Sequence, residues 1–368
     1  MSAKGRSAGG AFGLNRQYVT CPEIYQRETE NIFSRSWICV GHVSSFRETG
    51  LKPIQIEDHK LFLTLEGERV RTFRNFCRHR GSQLVSEENC GSIGQRIQCP
   101  YHAWTYERDG ALVAAPNMEG VEEFDSGKFG LIEVPCETVG GFVWICMEPT
   151  QSASEFLRPI DQQFADWTTE HLQVAVTLTY EVAANWKLIF QNYSECYHCP
   201  NVHPLLNRLT PYKGSMNDVD SGPILGGPMQ LSHDSESMSI DAKLVGTPLP
   251  NLSDEQLRCV NYFTIFPSMF LSTHPDYVLV HRIQRMDIDC TKIICEFLFH
   301  PDCIESDQFD LAKAVEFWDL TNRQDWEVCE LAQSGMEDRE YIPGPYSDLE
   351  SVVAAFDKHY FEQMSNGE

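Results

Sequence analysis

Cys77-Arg78-His79-Arg80-Gly81 and Cys99-Pro100-Tyr101-His102-Ala103-Trp104 each place a cysteine and a histidine two or three positions apart, with 19 residues between His79 and Cys99. Each pair offers one thiolate and one imidazole from a single loop tip. Two such loops facing each other hold a metal centre with two sulfur and two nitrogen ligands. That donor set fits a zinc site or a two-iron cluster with two histidines on one iron and two cysteines on the other. The bland alternative is four unrelated residues. With 14 cysteines and 12 histidines in 368 residues, two ordered pairs this close together argue against chance.

Around these pairs, residues 37–134 read as short strands (38–40, 54–56, 60–65, 71–73) punctuated by turn signals at Asp109-Gly110 and Ser126-Gly127. An all-β module of about 100 residues follows, the size of one ordinary domain. Upstream, Thr20-Cys21-Pro22-Glu23 reads as a capping box with proline in the first turn, opening a helix to residue 34. Residues 1–13 are Gly/Ala/Ser-rich without an apolar run and read as a disordered tail, not a secretory signal. Downstream, strand candidates (142–145, 174–180, 263–266, 277–282, 292–299) mix with helix candidates (155–167, 186–199, 307–334, 349–364), an α+β pattern. Residues 207–258, rich in Gly, Pro, Ser and Asp, are expected to form long loops. The division expected is 1–36 for tail and helix, 37–135 for the β module and 136–368 for a second domain.

The charge balance is 29 Lys+Arg against 53 Asp+Glu, a net −24. Such a surface repels phosphate backbones and anionic headgroups, which argues against nucleic acid and membrane partners. No window approaches the roughly 20 apolar residues of a membrane-spanning helix. The cysteines are expected to be mostly reduced, buried thiols of an unexported, cytoplasmic chain. At 42 % hydrophobic and 11 % aromatic, the chain has an ordinary supply of core residues.

A second dense site is Asn192-Tyr193-Ser194-Glu195-Cys196-Tyr197-His198-Cys199-Pro200-Asn201-Val202-His203-Pro204. On a helix Glu195 and His198 share a face at i and i+3. His203 would point about 140° away from His198, so it converges only if the helix bends, and Pro200 is the expected break. Three readings stand: histidines without a metal, a crowded zinc site from Cys196, His198, Cys199 and His203, or a two-histidine, one-carboxylate iron site with open positions. The upstream cluster favours the last, because an electron-transfer centre needs something downstream to receive electrons.

With the Arg-Gly and Ala-Trp flanks included, the two cysteine–histidine loops resemble those of a Rieske [2Fe-2S] domain, with Cys77, His79, Cys99 and His102 as ligands. Over nearly its whole length the chain resembles the catalytic α subunit of a Rieske non-haem iron oxygenase. The spacer is slightly longer than the family's usual one and contains Cys90. The resemblance implies an all-β Rieske domain plus a catalytic domain with a curved antiparallel sheet around a long helix. It implies mononuclear Fe(II) held by His198, His203 and Asp325, the last within Asn322-Arg323-Gln324-Asp325-Trp326-Glu327, with Asp319 and Glu327 as fallbacks. It further implies a ring of subunits, a trimer at minimum, in which Glu195 links His102 of the adjacent chain to its own His198. Glu195 stands where the family usually has aspartate, and Glu-Cys-Tyr-His-Cys resembles the carnitine, glycine betaine and proline betaine oxygenase branch.

The activity implied is that of a terminal oxygenase component using O2 and electrons from a separate NAD(P)H-dependent flavin/iron–sulfur reductase on a small substrate. No Gly-rich dinucleotide fingerprint follows a strand in this chain, so the NAD(P)H and flavin chemistry belongs to that partner. The branch resemblance points to monooxygenation and N-demethylation of a quaternary ammonium compound, held by an aromatic cage. Tyr193, Tyr197, Tyr262 and Phe270 are candidate walls, with core packing as the competing role of each. Aromatic-ring hydroxylation uses the same ligands and stays open. A pure Rieske electron carrier or redox sensor would need only the β module.

Overall fold

The computed structural model describes residues 10–90 and 94–365 and divides into two compact units, residues 35–153 and residues 10–34 with 154–365. In the first unit, Leu51–Ile56, His59–Glu66, Arg69–Arg74 and Glu133–Val134 form an antiparallel sheet. A small sheet of Ile97–Gln98, Thr105–Tyr106 and Leu112–Ala114 carries the second cysteine–histidine loop. A third sheet sets Phe142–Ile145 between Ile38–His42 and Cys136–Val139. That pairing carries the first unit past the boundary expected at residue 135. The core beneath the loops is Phe62, Phe73, Leu84, Ile97, Trp104 and Tyr106.

The second unit is built on a seven-stranded antiparallel sheet, in spatial order Gln173–Val182, Cys290–Phe299, Val278–Asp287, Met269–Thr273, Cys259–Ile265, Ile224–Gln230 and Val219–Asp220. The 26-residue helix Leu311–Met336 buries Ala314, Phe317, Trp318, Thr321, Asn322, Trp326, Cys329, Gln333 and Met336, the three-and-four spacing of a single apolar face. This face is bonded to the sheet through Trp318 to Tyr277 (2.7 Å) and His281 to Asn322 (3.1 Å). The helix candidate at 307–334 and the α+β expectation correspond to what is seen.

Several local expectations are corrected. Residues 207–258 are not all loop: Ile224–Gln230 is a sheet strand. Its Gly226-Gly227-Pro228 looks like a turn in the sequence, yet a Cβ at Gly226 would stand 2.0 Å from the Tyr262 carbonyl oxygen, and one at Gly227 2.0 Å from that of Met216. The glycines admit neighbouring backbones, a constraint that composition does not reveal. The Thr20 capping box does not form. Thr20 Oγ1 donates to the Arg16 carbonyl (3.0 Å) and ends the short helix Gln17–Thr20, while Pro22–Glu28 begins after Cys21 with no side-chain cap. Of the expected disordered tail, residues 1–9 lie outside the described residues. Residues 11–13 pair instead with the 344–346 segment, through Gly13 N to Gly344 O (3.0 Å) and Tyr346 N to Ala11 O (2.9 Å). Among the described residues no helix is long and apolar enough to cross a membrane.

Candidate metal centres

In the first unit each cysteine–histidine loop is closed by its own backbone. Gly81 N donates to Cys77 O (2.9 Å) and Cys77 N to Ser82 O (2.8 Å). Ala103 N donates to Cys99 O (3.1 Å) and Cys99 N to Trp104 O (2.8 Å). Gly81 (φ +76°) and Ala103 (φ +58°) occupy the left-handed region that such tight loops need. Buried Asn75 accepts from Leu84 N (3.2 Å) and Val85 N (3.0 Å), pinning the segment after the first loop.

Cys77 and Cys99 are 2 % and 3 % exposed and hydrogen-bond to each other. His79 is exposed and His102 half-buried, their rings 4.7 Å apart. The donors thus sort into an inner sulfur pair and an outer nitrogen pair. A two-iron cluster with unlike irons needs that separation, and the residues present fit it. Trp104 stacks on His79 (4.9 Å, 6°), shielding the outer pair on one side. Cys90 bonds to the Glu87 carbonyl (3.5 Å) and joins neither loop.

Tyr106 escaped the sequence reading. Its hydroxyl oxygen accepts from Arg78 N (3.1 Å) and lies 3.3 Å from Cys77 Sγ, so its hydrogen is directed at the sulfur. A donor at a ligand sulfur favours the more negative, reduced state of a cluster. Tyr106→Phe is therefore expected to lower the cluster potential by about 40 mV, the one-electron equivalent of a bond worth ~1 kcal/mol. Redox titration followed by EPR checks this, and an unchanged potential refutes it.

In the second unit, helix Trp186–Tyr193 starts at Asn185, whose side chain accepts from Lys187 N (3.1 Å). The expected helix 186–199 ends early, and the break is not at Pro200. The Glu195 carboxylate captures the backbone N–H of Tyr197 and of His198 (3.1 Å for His198), holding 194–198 outside the helix. Pro200 occupies the first turn of a new short helix, Cys199–Val202, where its missing N–H costs nothing. His203 (φ −123°, ψ 68°) turns the chain into helix Pro204–Leu209.

His198, His203 and Asp325 converge, with one donor atom from each all within 4.8 Å of one another. Asp325 Oδ1 is 2.8 Å from His203 Nε2 and 3.3 Å from His198 Nε2. Both Nδ1 atoms face outward to fixed acceptors, His198 to Glu195 Oε1 (2.6 Å) and His203 to Gln324 Oε1 (2.8 Å). With each Nδ1–H donated away, both Nε2 lone pairs are free for one ion. Two imidazoles and a carboxylate on one face of a cavity fit a non-haem Fe(II) with open positions. Burial opposes charge on His198, yet its hydrogen bonds to Asp325 and Glu195 raise its pKa to about 10. The bonds to His198 and His203 hold Asp325 at about 2 against the upward push of burial. A divalent cation entering here displaces a proton.

The fallback ligands are occupied elsewhere or turned away. Asp319 accepts from Tyr180 OH (2.8 Å) and Arg323 Nε (2.8 Å), and Glu327 is exposed. Cys196 and Cys199 are disulfide-bonded to each other, which removes the zinc reading of this loop and departs from the expectation of reduced thiols there. Gln324 was not singled out from the sequence. Gln324→Leu should weaken Fe(II) binding about 10- to 100-fold, the usual effect of losing an orienting partner. Metal-competition titration measures it, and unchanged affinity refutes the role.

The triad opens on a cleft. Tyr193, Tyr262, Trp318 and Trp326 line it. Of the expected aromatic walls, Tyr197 is 56 % exposed and Phe270 sits behind Tyr193, stacked at 4.1 Å. The two tryptophans carry no local signal beyond their place on the buried face of helix Leu311–Met336.

Comparison with known proteins agrees with this geometry. Residues 36–125 match the Rieske [2Fe-2S] domain, and residues 169–366 match the ring hydroxylating alpha subunit (catalytic domain). The glycine betaine monooxygenase oxygenase subunit of Pseudomonas aeruginosa strain UCBPP-PA14 is 29 % identical over 98 % of this chain and 91 % of its own. The carnitine monooxygenase oxygenase subunit of Escherichia coli K12 is 38 % identical over 53 % of each chain. Among solved structures, the quaternary ammonium Rieske monooxygenase described in carnitine oxidation by gut microbiota superposes with TM-score 0.81 at 24 % identity, covering 97 % of this chain and 96 % of that one. Naphthalene 1,2-dioxygenase from Rhodococcus does so with TM-score 0.77 at 19 % identity over 95 % and 94 %; both likenesses concern the fold. Matched over more than half its length by the catalytic-domain family and in its β unit by the Rieske family, the chain belongs to the ring-hydroxylating α subunits, oxygenases that carry a Rieske [2Fe-2S] domain and a mononuclear-iron domain and work with a reductase.

Proposed function

We propose that this chain is the terminal oxygenase of a system that monooxygenates and N-demethylates a quaternary ammonium compound. The observation that carries the reading is the His198–His203–Asp325 set facing a cavity walled by Tyr193, Tyr262, Trp318 and Trp326. Aromatic faces hold a cation that cannot donate hydrogen bonds, through attraction to the ring quadrupole. The similar betaine and carnitine enzymes support the same substrate class.

In this reading Cys77 and Cys99 hold one iron of the cluster, His79 and His102 the other, and His198, His203 and Asp325 the mononuclear iron. The metal centres supply electron transfer and O2 chemistry when bound. The protein's part is positional. Glu195 and Gln324 fix the imidazoles, the aromatic walls orient the N-methyl group and exclude water, and half-buried Asp325 supplies the one carboxylate of the triad. Oxygenation of an N-methyl consumes O2, two electrons and two protons. It leaves one water and a carbinolamine, which collapses to formaldehyde and the tertiary amine. Glu195, already on His198 Nδ1, would reach His102 of an adjacent copy in a trimer working in the cytoplasm.

The test is oxygen uptake by the iron-loaded protein with a generic reductase and NADH, across N-methylated ammonium compounds and aromatic acids, with formaldehyde assayed in parallel. Uptake matched by formaldehyde is expected with an ammonium compound. Uptake with aromatic acids alone would overturn the substrate reading in favour of ring hydroxylation.

A further inference from the structure

One wall of the iron-facing cavity carries polar atoms that the protein leaves unused. His281, on strand Val278–Asp287, is 2 % exposed and lines the cavity, and its Nδ1 has no hydrogen-bond partner. Trp326, on helix Leu311–Met336, lines the same cavity at 6.3 Å between ring centroids, and its Nε1–H is buried and equally unpartnered. Buried polar groups without partners are rare in native proteins and mark places where something else binds.

The state of His281 follows from a chain of bonds. Asp319, held by Arg323, takes the hydrogen of Tyr180 (2.8 Å), so the Tyr180 oxygen can only accept. It accepts from Asn322 Nδ2 (3.4 Å), which turns Asn322 Oδ1 toward His281 Nε2 (3.1 Å). An amide oxygen cannot donate, so Nε2 carries the hydrogen and Nδ1 is a bare lone pair. Burial keeps the ring neutral, lowering its pKa to about 4. Among the buried, unpartnered polar atoms of the cavity residues, His281 Nδ1 is thus the acceptor, beside Trp326 Nε1–H and the Tyr262 hydroxyl. A hydroxyl can donate to Nδ1, whereas a carboxylate would set its lone pairs against that of Nδ1.

The rest of the cavity points the same way. Among the described residues lining it none is lysine or arginine, while Glu195 and Asp325 add negative charge. The neutral side chains Ser215 and Asn217 bond to each other (3.3 Å), and Asn217 also to Ser351 (3.5 Å). A substrate carboxylate has no cationic side chain to meet among these residues.

Resting on the quaternary ammonium reading above, we propose that the cavity takes an alkylammonium cation bearing a hydroxyl and no carboxylate, with His281 Nδ1 accepting the hydroxyl hydrogen. His281 is then a specificity-determining residue for a reaction whose iron ligands lie elsewhere in the cavity.

Equilibrium calorimetry on the cluster- and iron-loaded protein, without O2, tests this with choline, ethyltrimethylammonium and glycine betaine. Choline should bind about 10-fold or more tighter than either other compound, the size of one well-formed hydrogen bond. In His281→Phe the preference over ethyltrimethylammonium should fall below about 2-fold. His281→Gln can donate to Asn322 and still present an acceptor, so it should retain the preference; this guards against mere misfolding of the phenylalanine variant. Glycine betaine binding as tightly as choline, or a hydroxyl preference that survives His281→Phe, overturns the proposal while leaving the ammonium reading in place. If no ammonium compound binds and an aromatic acid does, both fall.

Discussion

Asp325→Ala is expected to strip mononuclear iron from the protein while leaving its cluster in place, reducing oxygenase activity to below about 1 %. The carboxylate is the only anion of the triad, and both Nε2 atoms aim at its Oδ1. Loss of an orienting partner alone costs about 10- to 100-fold in metal affinity, and loss of a ligand should cost more. The fold should survive. His198 and His203 keep their Nδ1 anchors on Glu195 and Gln324, and the helix retains its apolar face. Metal analysis, the visible spectrum of the cluster and a thermal melt separate these outcomes. Asp319→Ala and Glu327→Ala are controls that should retain iron. A protein with full iron and activity after Asp325→Ala would remove this residue from the site.

Glu28→Ala should destabilise the second unit by about 3–5 kcal/mol, the usual penalty for breaking a buried ion pair from one side. Glu28 is fully buried and accepts from Lys187 Nζ (2.5 Å), Tyr360 OH (2.7 Å), Trp186 Nε1 (2.9 Å) and Arg285 NH1 (3.1 Å). Both cations are themselves buried, and the Arg285 guanidinium lies between the rings of Tyr25 (4.1 Å) and Phe33 (4.0 Å). Burial already lowers the pKa of Lys187, so without its partner the ammonium would tend to discharge. The arrangement ties helix Pro22–Glu28 to helix Trp186–Tyr193, which leads into Glu195, and to helix Ser351–Ser365, which carries Tyr360. Glu28→Gln keeps acceptor and shape and should lose less. Urea denaturation measures both, and a loss under about 1 kcal/mol for the alanine variant would contradict this account.

The candidate ligands were legible where ligands sit within a few residues of one another. Cys77/His79, Cys99/His102 and His198/His203 announce themselves because a short loop or turn can present only so many directions, and metal donors must share one of them. Asp325 is different, 122 residues from His203. As a local pattern it is one carboxylate on a helix with several, and only family resemblance selected it. The folded helix explains the choice, since Asp325 and Gln324 border the buried stripe while Asp319 is drawn to Tyr180 and Arg323.

What escaped the sequence depends on partners distant along the chain. The helix ends at Tyr193 because the Glu195 side chain takes the amides of Tyr197 and His198, a competition that helical periodicity does not weigh. Ile224–Gln230 hides its strand behind two glycines whose reason is the backbone beside them. Tyr106 gains a role only when the Ile97–Gln98 and Thr105–Tyr106 hairpin brings it under Cys77.

The sequence by itself pointed to two domains, to the sulfur–nitrogen donor set of one candidate centre and to the two histidines of the other, because local spacing and hydrophobic pattern suffice for those. Only the tertiary structure shows Asp325, which family resemblance alone had picked out, closing on the two histidines, and adds Trp318 and Trp326 to the cavity walls and the bare nitrogen of His281. Those depend on hydrogen bonds and packing between segments some 40 to 140 residues apart, where chain order carries no information about distance.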